Sequence, residues 1–499
     1  MTGTRPRKIL MVAAECAPYA KVGGLGDVVA GLAKQLAVSG HDARVLLPLY
    51  RGIERQRHGL RYRQNVCVHG AGGRERWAGV WEGRLDDTLP VWLLDYGAYF
   101  DRAGLYDENN REYADNAERF GFLSKAALQV CKDLAFIPDV MHVHDWPTAP
   151  TAALLKTWDR RLSPLSATAS VLTIHNIGYQ GVAPRAGFAY LGLGDDWFNS
   201  HVCEDHGRFN MLKLGVFFAD AVTTVSPTHA GEILSADGGR GLAPYLQWKR
   251  GDVFGILNGA DYSQWSPATD PLIPANYDAR RLVGKQDCRR ALQQRLGLTV
   301  SDAPIISLVS RFAVQKGLYL VRNCLEQALR ELPFQWVIIG SGDPALEKYF
   351  GELPGRYPGQ VGSYIGYHNE LSHWAQAGGD FFLVPSLYEP CGLTQIYALK
   401  YGALPIVRAT GGLRDTVVNY NNAADSDGTG FVFWDATPSA LLGTLRWVAD
   451  TWWNRHDQLA RLRQNAMAKD FSWAQPAREY LKVYDHASRA RRALLERES

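Results

Sequence analysis

No run in this 499-residue sequence is apolar for long enough to cross a bilayer, so a helical membrane protein is not expected. The seven cysteines are scattered and none forms a Cys-x-x-Cys pair, which argues against a zinc site and against a disulfide framework and fits a reducing, cytoplasmic setting. Charge of one sign is also lacking. A net +3 is small for this length, and neither a nucleic-acid nor an anionic-membrane partner is indicated. There is no solenoid-type repeat and no low-complexity tract. Arg5, Arg7 and Lys8 before an apolar run have the outline of a secretion signal. Glu15 interrupts that run after a few residues, and the same run is needed as a first strand.

What is present is an ordinary globular composition with room for two or more domains. Its informative stretch is Lys21-Val22-Gly23-Gly24-Leu25-Gly26-Asp27-Val28-Val29. An apolar strand pattern at 9–14 precedes it. A helical pattern follows, with Val28, Val29, Leu32, Ala33, Leu36 and Ala37 at helix spacing and Gly40 as the stop. Gly23, Gly24 and Gly26 lack Cβ atoms, so backbone N–H groups can approach a ligand. The helix start behind them favours anions, and Lys21 adds a positive charge. A P-loop is excluded because Lys precedes the glycines. A dinucleotide fingerprint is incomplete because Val29 stands where Gly or Ala is needed. The alternative is a tight strand-to-helix turn with a solvated lysine.

Strand patterns at 42–48, 91–95, 139–145, 170–176 and 221–226 alternate with helical stretches, among them 111–132. The polar piece between 48 and 91 reads as hairpins or loop. Residues 261–302, with Pro267, Pro271 and Pro274 close together, break the alternation and read as a linker. Strands then restart at 303–310, 334–340, 361–366, 380–386 and 404–409, and an Arg-rich helix spans 474–496. The expectation is α/β: two doubly wound, Rossmann-like domains, 1–260 and 261–470, facing across a cleft, with 471–499 as a C-terminal helix.

In such sheets ligands bind beyond the carboxyl ends of strands. Those ends carry His142, His144, Asp145 and Trp146; His175, Asn176 and Tyr179; Arg311 and Lys316; and Glu389, Cys391, Gly392, Leu393 and Thr394. Arg311 offers a planar fork and Lys316 a compact charge, complementary ways to hold phosphate oxygens. Gly392 and Thr394 open a helix that can take the same anion. Glu389 and Asp145 suit sugar hydroxyls, and His175 suits a hydrogen bond to the transferred sugar. Blander readings stand beside these. Arg311 and Lys316 could be surface charges, Asp145 a helix cap, Cys391 a small buried residue, and Tyr367 core or a base-stacking platform. His142 and His144 could mimic a metal pair, but no third ligand has the right spacing.

As an ordered set, KVGGLGDV (21–28), HVHDW (142–146), TIHNIGYQG (173–181), ILNGAD (256–261), SRFAVQKG (310–317), IGYHNE (365–370) and EPCGLTQ (389–395) resemble bacterial glycogen synthases and plant starch synthases. The resemblance runs from the first strand to Trp473. It implies the GT-B glycosyltransferase fold, with the last helix crossing back to the first domain. It implies transfer of glucose from ADP-glucose to the non-reducing end of an α-1,4-glucan such as glycogen, with retention and without a metal or other cofactor. By that resemblance Lys21 and the Gly23–Gly24–Gly26 loop meet the donor phosphates, and Arg311 and Lys316 neutralise the leaving diphosphate. Glu389 and Asp145 lie by the glucose, with His175 near its reacting carbon. Asn176, Asn258, Cys391, Gly392, Leu393 and Thr394 line the donor site, and Tyr367 the adenine. Related transferases of the sucrose-synthase type carry a second Glu eight residues after the first; here that position is Tyr397.

No nucleophile stands out in these motifs, so front-face attack is expected, with a diphosphate oxygen taking the acceptor proton. Three alternatives remain: a GT-B transferase using UDP-glucose or another acceptor, a phosphorylase, which would need a pyridoxal phosphate lysine, and a catalytically inactive glucan-binding protein.

Overall fold

The computed structural model describes residues 5–70, 73–86, 88–109, 111–158 and 163–498. They fall into two compact units, Met1–Gly259 with Trp473–Ser499, and Ala260–Ser472. In the first unit nine strands form one sheet among the described residues: β1 (Lys8–Val12), β2 (Asp42–Pro48), β3 (Arg61–His69), β4 (Glu75–Leu85), β5 (Leu89–Asp95), β6 (Val140–His144), β7 (Ala169–Ile174), β8 (Ala221–Thr224) and β9 (Val253–Gly255). Their order is β9-β8-β7-β6-β1-β2-β5-β4-β3. Pairing is parallel except at β4, which runs antiparallel to both β3 and β5. The central strands β6, β7 and β8 are buried along their whole length, as parallel strands covered on both faces must be.

Helix α1 (Gly24–Val38) follows β1 and buries Val28, Val29, Leu32, Ala33 and Leu36, the stripe that the spacing requires. Each fully buried Leu or Val adds roughly 1.5–3 kcal/mol relative to exposure. Helix α2 (Asn116–Asp133) starts later than its pattern suggests, because Arg111–Glu112 is drawn into a two-residue ribbon with Asp107–Glu108. The polar piece between β2 and β5 is a long hairpin, β3–β4, added to the edge of the sheet. Strand β9 is only three residues long, too short for any alternation to show.

The second unit has a six-stranded sheet among the described residues: β10 (Ile305–Val309), β11 (Gln335–Gly340), β12 (Val361–Ile365), β13 (Phe381–Val384), β14 (Leu404–Arg408) and β15 (Phe431–Phe433), all parallel, in the order β12-β11-β10-β13-β14-β15. The linker reading of 261–302 is overturned, because this segment is built into the core of the unit. Helix α3 (Val283–Arg295) packs on α4 (Asn369–Gly378). The Lys285 ammonium donates to the carbonyls of Ala377, Gly379 and Tyr401 at 2.8–3.1 Å. Buried Asp270 accepts from His373 (2.7 Å) and from the Tyr401 hydroxyl (2.5 Å). Trp265 stacks between His373 (3.7 Å) and Tyr397 (4.2 Å), so Tyr397 serves packing here. The prolines marked a change of chain path rather than a tether.

Helix α5 (Thr394–Tyr401) belongs to this unit, whereas α6 (Ala474–Glu498) lies with the first. Tyr480, Tyr484 and Ala487 of α6 are buried in the first unit's core, and Arg491 donates to the Ser166 carbonyl at 2.8 Å.

Candidate active site

Each sheet has a point where the order of strands reverses, and crevices for ligands open there. In the first unit the chain moves outward from β1 through β2 and later returns on the other side as β6. The loops that leave β1 and β6 carry Glu15 to Gly26 and Asp145. In the second unit the reversal falls between β10 and β13. The loops that leave those strands carry Arg311, Lys316 and Glu389. Strand topology thus brings Lys21, its glycine loop and Asp145 to the reversal point of the first unit, and Arg311, Lys316 and Glu389 to that of the second, whereas His175 and Asn176 follow β7, Asn258 follows edge strand β9 and Tyr367 follows edge strand β12.

The loop after β1 is occupied by the chain's own carboxylates. Glu15, which the sequence reading treated only as an interruption, is buried. Its Oε2 accepts from the N–H groups of Val22 (2.7 Å) and Gly23 (3.1 Å), and its Oε1 accepts from the Tyr106 hydroxyl at 2.7 Å. Exposed Lys21 pairs with Asp27 at 2.8 Å. Gly24 is exposed at the start of α1, whereas Gly26 is buried in its first turn, where a Cβ would come within 3.1 Å of the Ala20 carbonyl. Gly26 therefore lets the loop fold back on itself.

Along the end of β6 and just past β7 lies a row of imidazoles. His142 makes hydrogen bonds with the Tyr484 hydroxyl (2.9 Å) and with Thr173 (2.6 Å), so neither nitrogen is left for a metal. His144 Nδ1 and His175 Nε2 are 3.0 Å apart and share a proton-bearing hydrogen bond. Burial pushes His142 and His175 down to about 3 and His144 well below the usual histidine range, so all three are neutral near pH 7. Asp145 adopts a left-handed backbone at φ 55°, a conformation that costs a non-glycine residue energy and recurs at functional sites. Its Oδ1 accepts from the N–H groups of His175 (2.7 Å) and Asn176 (3.4 Å). Burial raises Asp145 to about 7 against the opposing pull of these two N–H groups. The Asn176 side chain accepts from the Gly178 N–H at 3.0 Å. Asn258 is buried three residues beyond β9, and its Oδ1 has no hydrogen-bond partner. Such an orphaned acceptor is what a polar ligand would satisfy.

In the second unit Lys316 and Glu389 form an ion pair at 2.6 Å, and Ser386 Oγ donates to the same Glu389 oxygen at 2.8 Å. The loops that hold them are stitched together: the Leu387 N–H donates to the Gln315 carbonyl at 2.8 Å. Gly317, at φ 68°, approaches the Pro385 carbonyl so closely that a Cβ would sit 1.9 Å from it. Behind Glu389, Gly411 meets the Glu389 carbonyl in the same way, at 2.0 Å. Both glycines are steric necessities of the turns that place Lys316 and Glu389. Arg311 is exposed just after β10 and makes no ion pair among the described residues.

Cys391 is buried, Gly392 takes φ 74°, and Leu393 precedes α5, which starts at Thr394. Gln395 fixes this turn by donating to the carbonyls of Cys391 (3.1 Å) and Gly392 (3.0 Å). Tyr367 is 82% exposed, and its hydroxyl donates to Asn369 at 3.3 Å. Glu15, Tyr106, Asp27 and Ser386 were missed as participants. An acid closing an apolar strand was the signal for Glu15; the other three had none.

A mixed sheet in one unit and a parallel sheet in the other, each with charged and glycine-bearing tips at its reversal point, are the architecture of a two-domain glycosyltransferase, and the comparisons agree. A family model described as "Starch synthase catalytic domain" matches residues 8–248, and one described as "Glycosyl transferases group 1" matches 293–468. The chain is 43% identical over 487 residues to glycogen synthase 1 of Geobacter metallireducens, covering 97% of each, and 41% identical over 493 residues to glycogen synthase of Aeromonas hydrophila, covering 97% and 98%. The solved catalytic domain of starch synthase IV from Arabidopsis thaliana, bound to ADP and acarbose, superimposes with a TM-score of 0.89 at 34% identity, covering 97% of this chain and 99% of that one. The chain belongs to the glycogen and starch synthase family. Among the described residues no helix is long and apolar enough to cross a membrane.

Proposed function

We propose that this enzyme transfers glucose from ADP-glucose to the non-reducing end of an α-1,4-glucan such as glycogen, with retention at the anomeric carbon. The observation that carries the reading is the Lys316–Glu389 pair at the reversal point of the second sheet, with Arg311 exposed on the adjoining loop. A departing nucleoside diphosphate needs fixed positive charge, and a planar fork with a point charge supplies it without reorganisation. The names of the relatives support the acceptor, and the ADP and acarbose bound to the Arabidopsis enzyme support both substrates.

On this reading the acceptor hydroxyl oxygen attacks C1 of glucose. The bond from C1 to the phosphate oxygen breaks, and that oxygen takes the acceptor proton from the same face. Glu389 is a poor candidate for a covalent nucleophile, since one of its oxygens already holds both Lys316 and Ser386. Asp145 is likewise anchored by backbone N–H groups. Both suit holding sugar hydroxyls, and neutral His175 suits a hydrogen bond to the transferred glucose. Lys21 and the Gly23–Gly24–Gly26 loop meet the donor phosphates. Asn176, Asn258, Cys391, Gly392, Leu393 and Thr394 line the donor, and exposed Tyr367 is free to cover the adenine. Residues 1–260 serve the acceptor and 261–470 the nucleotide-sugar, with 471–499 as the closing helix. No metal or other cofactor enters the scheme, and the setting is the cytoplasm.

The test is a donor competition, ADP-glucose against UDP-glucose, with glycogen as acceptor and the product digested by an α-1,4-specific amylase. Preference for ADP-glucose and complete digestion are expected. Preference for UDP-glucose, or a resistant product, would replace the reading. Trapping a glucosyl group on Glu389 or Asp145 would overturn the front-face step alone.

A further inference from the structure

Strand β3 places Cys67 and His69 on one face, because strand side chains two apart point the same way. The antiparallel register sets Glu75 of β4 directly opposite His69. One ligand atom from each residue, thiol, imidazole and carboxylate, lies within 4.8 Å of the other two. The groups are reachable, since Cys67 is half-buried and His69 and Glu75 are exposed. A cavity of about 400 Å³ opens beside them, lined by Cys67, His69, Lys125, Gln129, Lys132 and Trp158 among others. We propose that Cys67, His69 and Glu75 form a binding site for one transition-metal cation of the zinc type, separate from the catalytic groups.

The donor set suits that ion: one sulfur, one nitrogen and one oxygen, with a fourth position left for water from the cavity. In a tetrahedral zinc site with bonds of about 2.0–2.3 Å, ligand atoms stand roughly 3.3–3.8 Å apart. The three groups therefore need to close by about 1 Å, which side-chain rotation at an exposed hairpin end permits. Lys125 faces the same cavity, but its ammonium is turned onto the carbonyls of His69 (3.1 Å) and Tyr190 (2.7 Å), where burial lowers it to about 8. That bond also pins the end of β3. Binding would replace the thiol proton, which leaves to solvent, by a metal–sulfur bond. The absence of a Cys-x-x-Cys pair argues against a zinc-finger type of site, whereas on a strand Cys-x-His is a spacing that converges.

The experiment titrates the purified full-length protein with Co(II) and then Zn(II). One equivalent of cobalt should give a thiolate-to-cobalt charge-transfer band that one equivalent of zinc removes. Cys67→Ser should lose the band, and Glu75→Gln should weaken zinc binding about tenfold or more. Metal-free melting curves check that the variants fold, and His206→Gln, at an exposed histidine elsewhere, should keep the band. Absence of the band in the unaltered protein, or an equal band in Cys67→Ser, would overturn the site. So would zinc affinity unchanged by Glu75→Gln.

Discussion

The loop after β1 and the loop after β10 are alike in origin and differ in which of their charged groups are engaged. Both leave a central strand at the point where its sheet reverses, and both carry a cation next to a glycine turn. In the first, the groups that attract anions are already engaged: Lys21 by Asp27, and two loop N–H groups by Glu15. In the second, Arg311 stands exposed, and Lys316 is held by a carboxylate itself assigned to the sugar. The difference is one of internal pairing: two N–H groups of the first loop are held by a buried carboxylate of the same chain, while the second loop keeps one guanidinium exposed. On the proposed function, that guanidinium would serve the leaving group, and a donor phosphate would compete with the internal anions of the first loop.

That contrast is open to attack, from the largest expected effect to the smallest. Arg311→Ala should lower kcat about 10²–10³-fold, as removal of a preorganised charge partner does, and steady-state kinetics with glycogen check it. Glu15→Ala, which strands two N–H groups and the Tyr106 hydroxyl, should cost about 2 kcal/mol of stability in the first unit, read by chemical denaturation.

The two units should also respond differently to acid. His142, His144 and His175 stay neutral when folded but gain protons when unfolded below pH 6.5. The unfolded state then binds more protons, so stability falls as pH drops. Asp145 works against this. Raised to about 7, it holds a proton in the fold that its unfolded counterpart, with an ordinary value of 3.8, lacks. About two protons of net uptake remain, and the first unit should lose roughly 1–2 kcal/mol between pH 6.5 and 5.5. In the second unit the buried histidine, His373, is paired with Asp270 instead. Burial acts to raise the Asp270 carboxyl, but hydrogen bonds from His373, Tyr401 and Leu272 outweigh it and hold the group low. That stability is present above the ordinary carboxylate value and is lost only as pH falls through the lowered one. Hydrogen exchange across this pH range should show β6 and β7 opening before β10 and β13. The smallest effect is expected from Asp27→Asn. Freed from its half-buried partner, Lys21 should bind ADP about two- to fivefold more tightly by calorimetry.

Much of this was legible in the sequence. Segment 42–48 is the strand its pattern predicts, and the central strands stand out because burial on both faces demands unbroken apolar runs. The reversal-point candidates could be read because glycines, charges and strand ends coincide. What escaped depends on distant partners. Strands β9 and β15 are three residues each and exist through their neighbours. Segment 261–302 looked like a tether because its prolines hid the burial of Asp270, Tyr277 and Lys285 under α4 and α5. The pairing of Lys21 with Asp27 joins an exposed loop lysine to a half-buried acid in the first turn of α1, which no pattern of apolar residues reports.

The measurement that bears most directly on charge neutralisation by these cations compares Lys316→Ala with the unaltered enzyme in two assays, turnover with ADP-glucose and glucan binding without donor. Turnover should fall about 10²–10³-fold while glucan affinity stays within about twofold. Equal losses in both would contradict the account and leave a glucan-binding protein in place of a transferase.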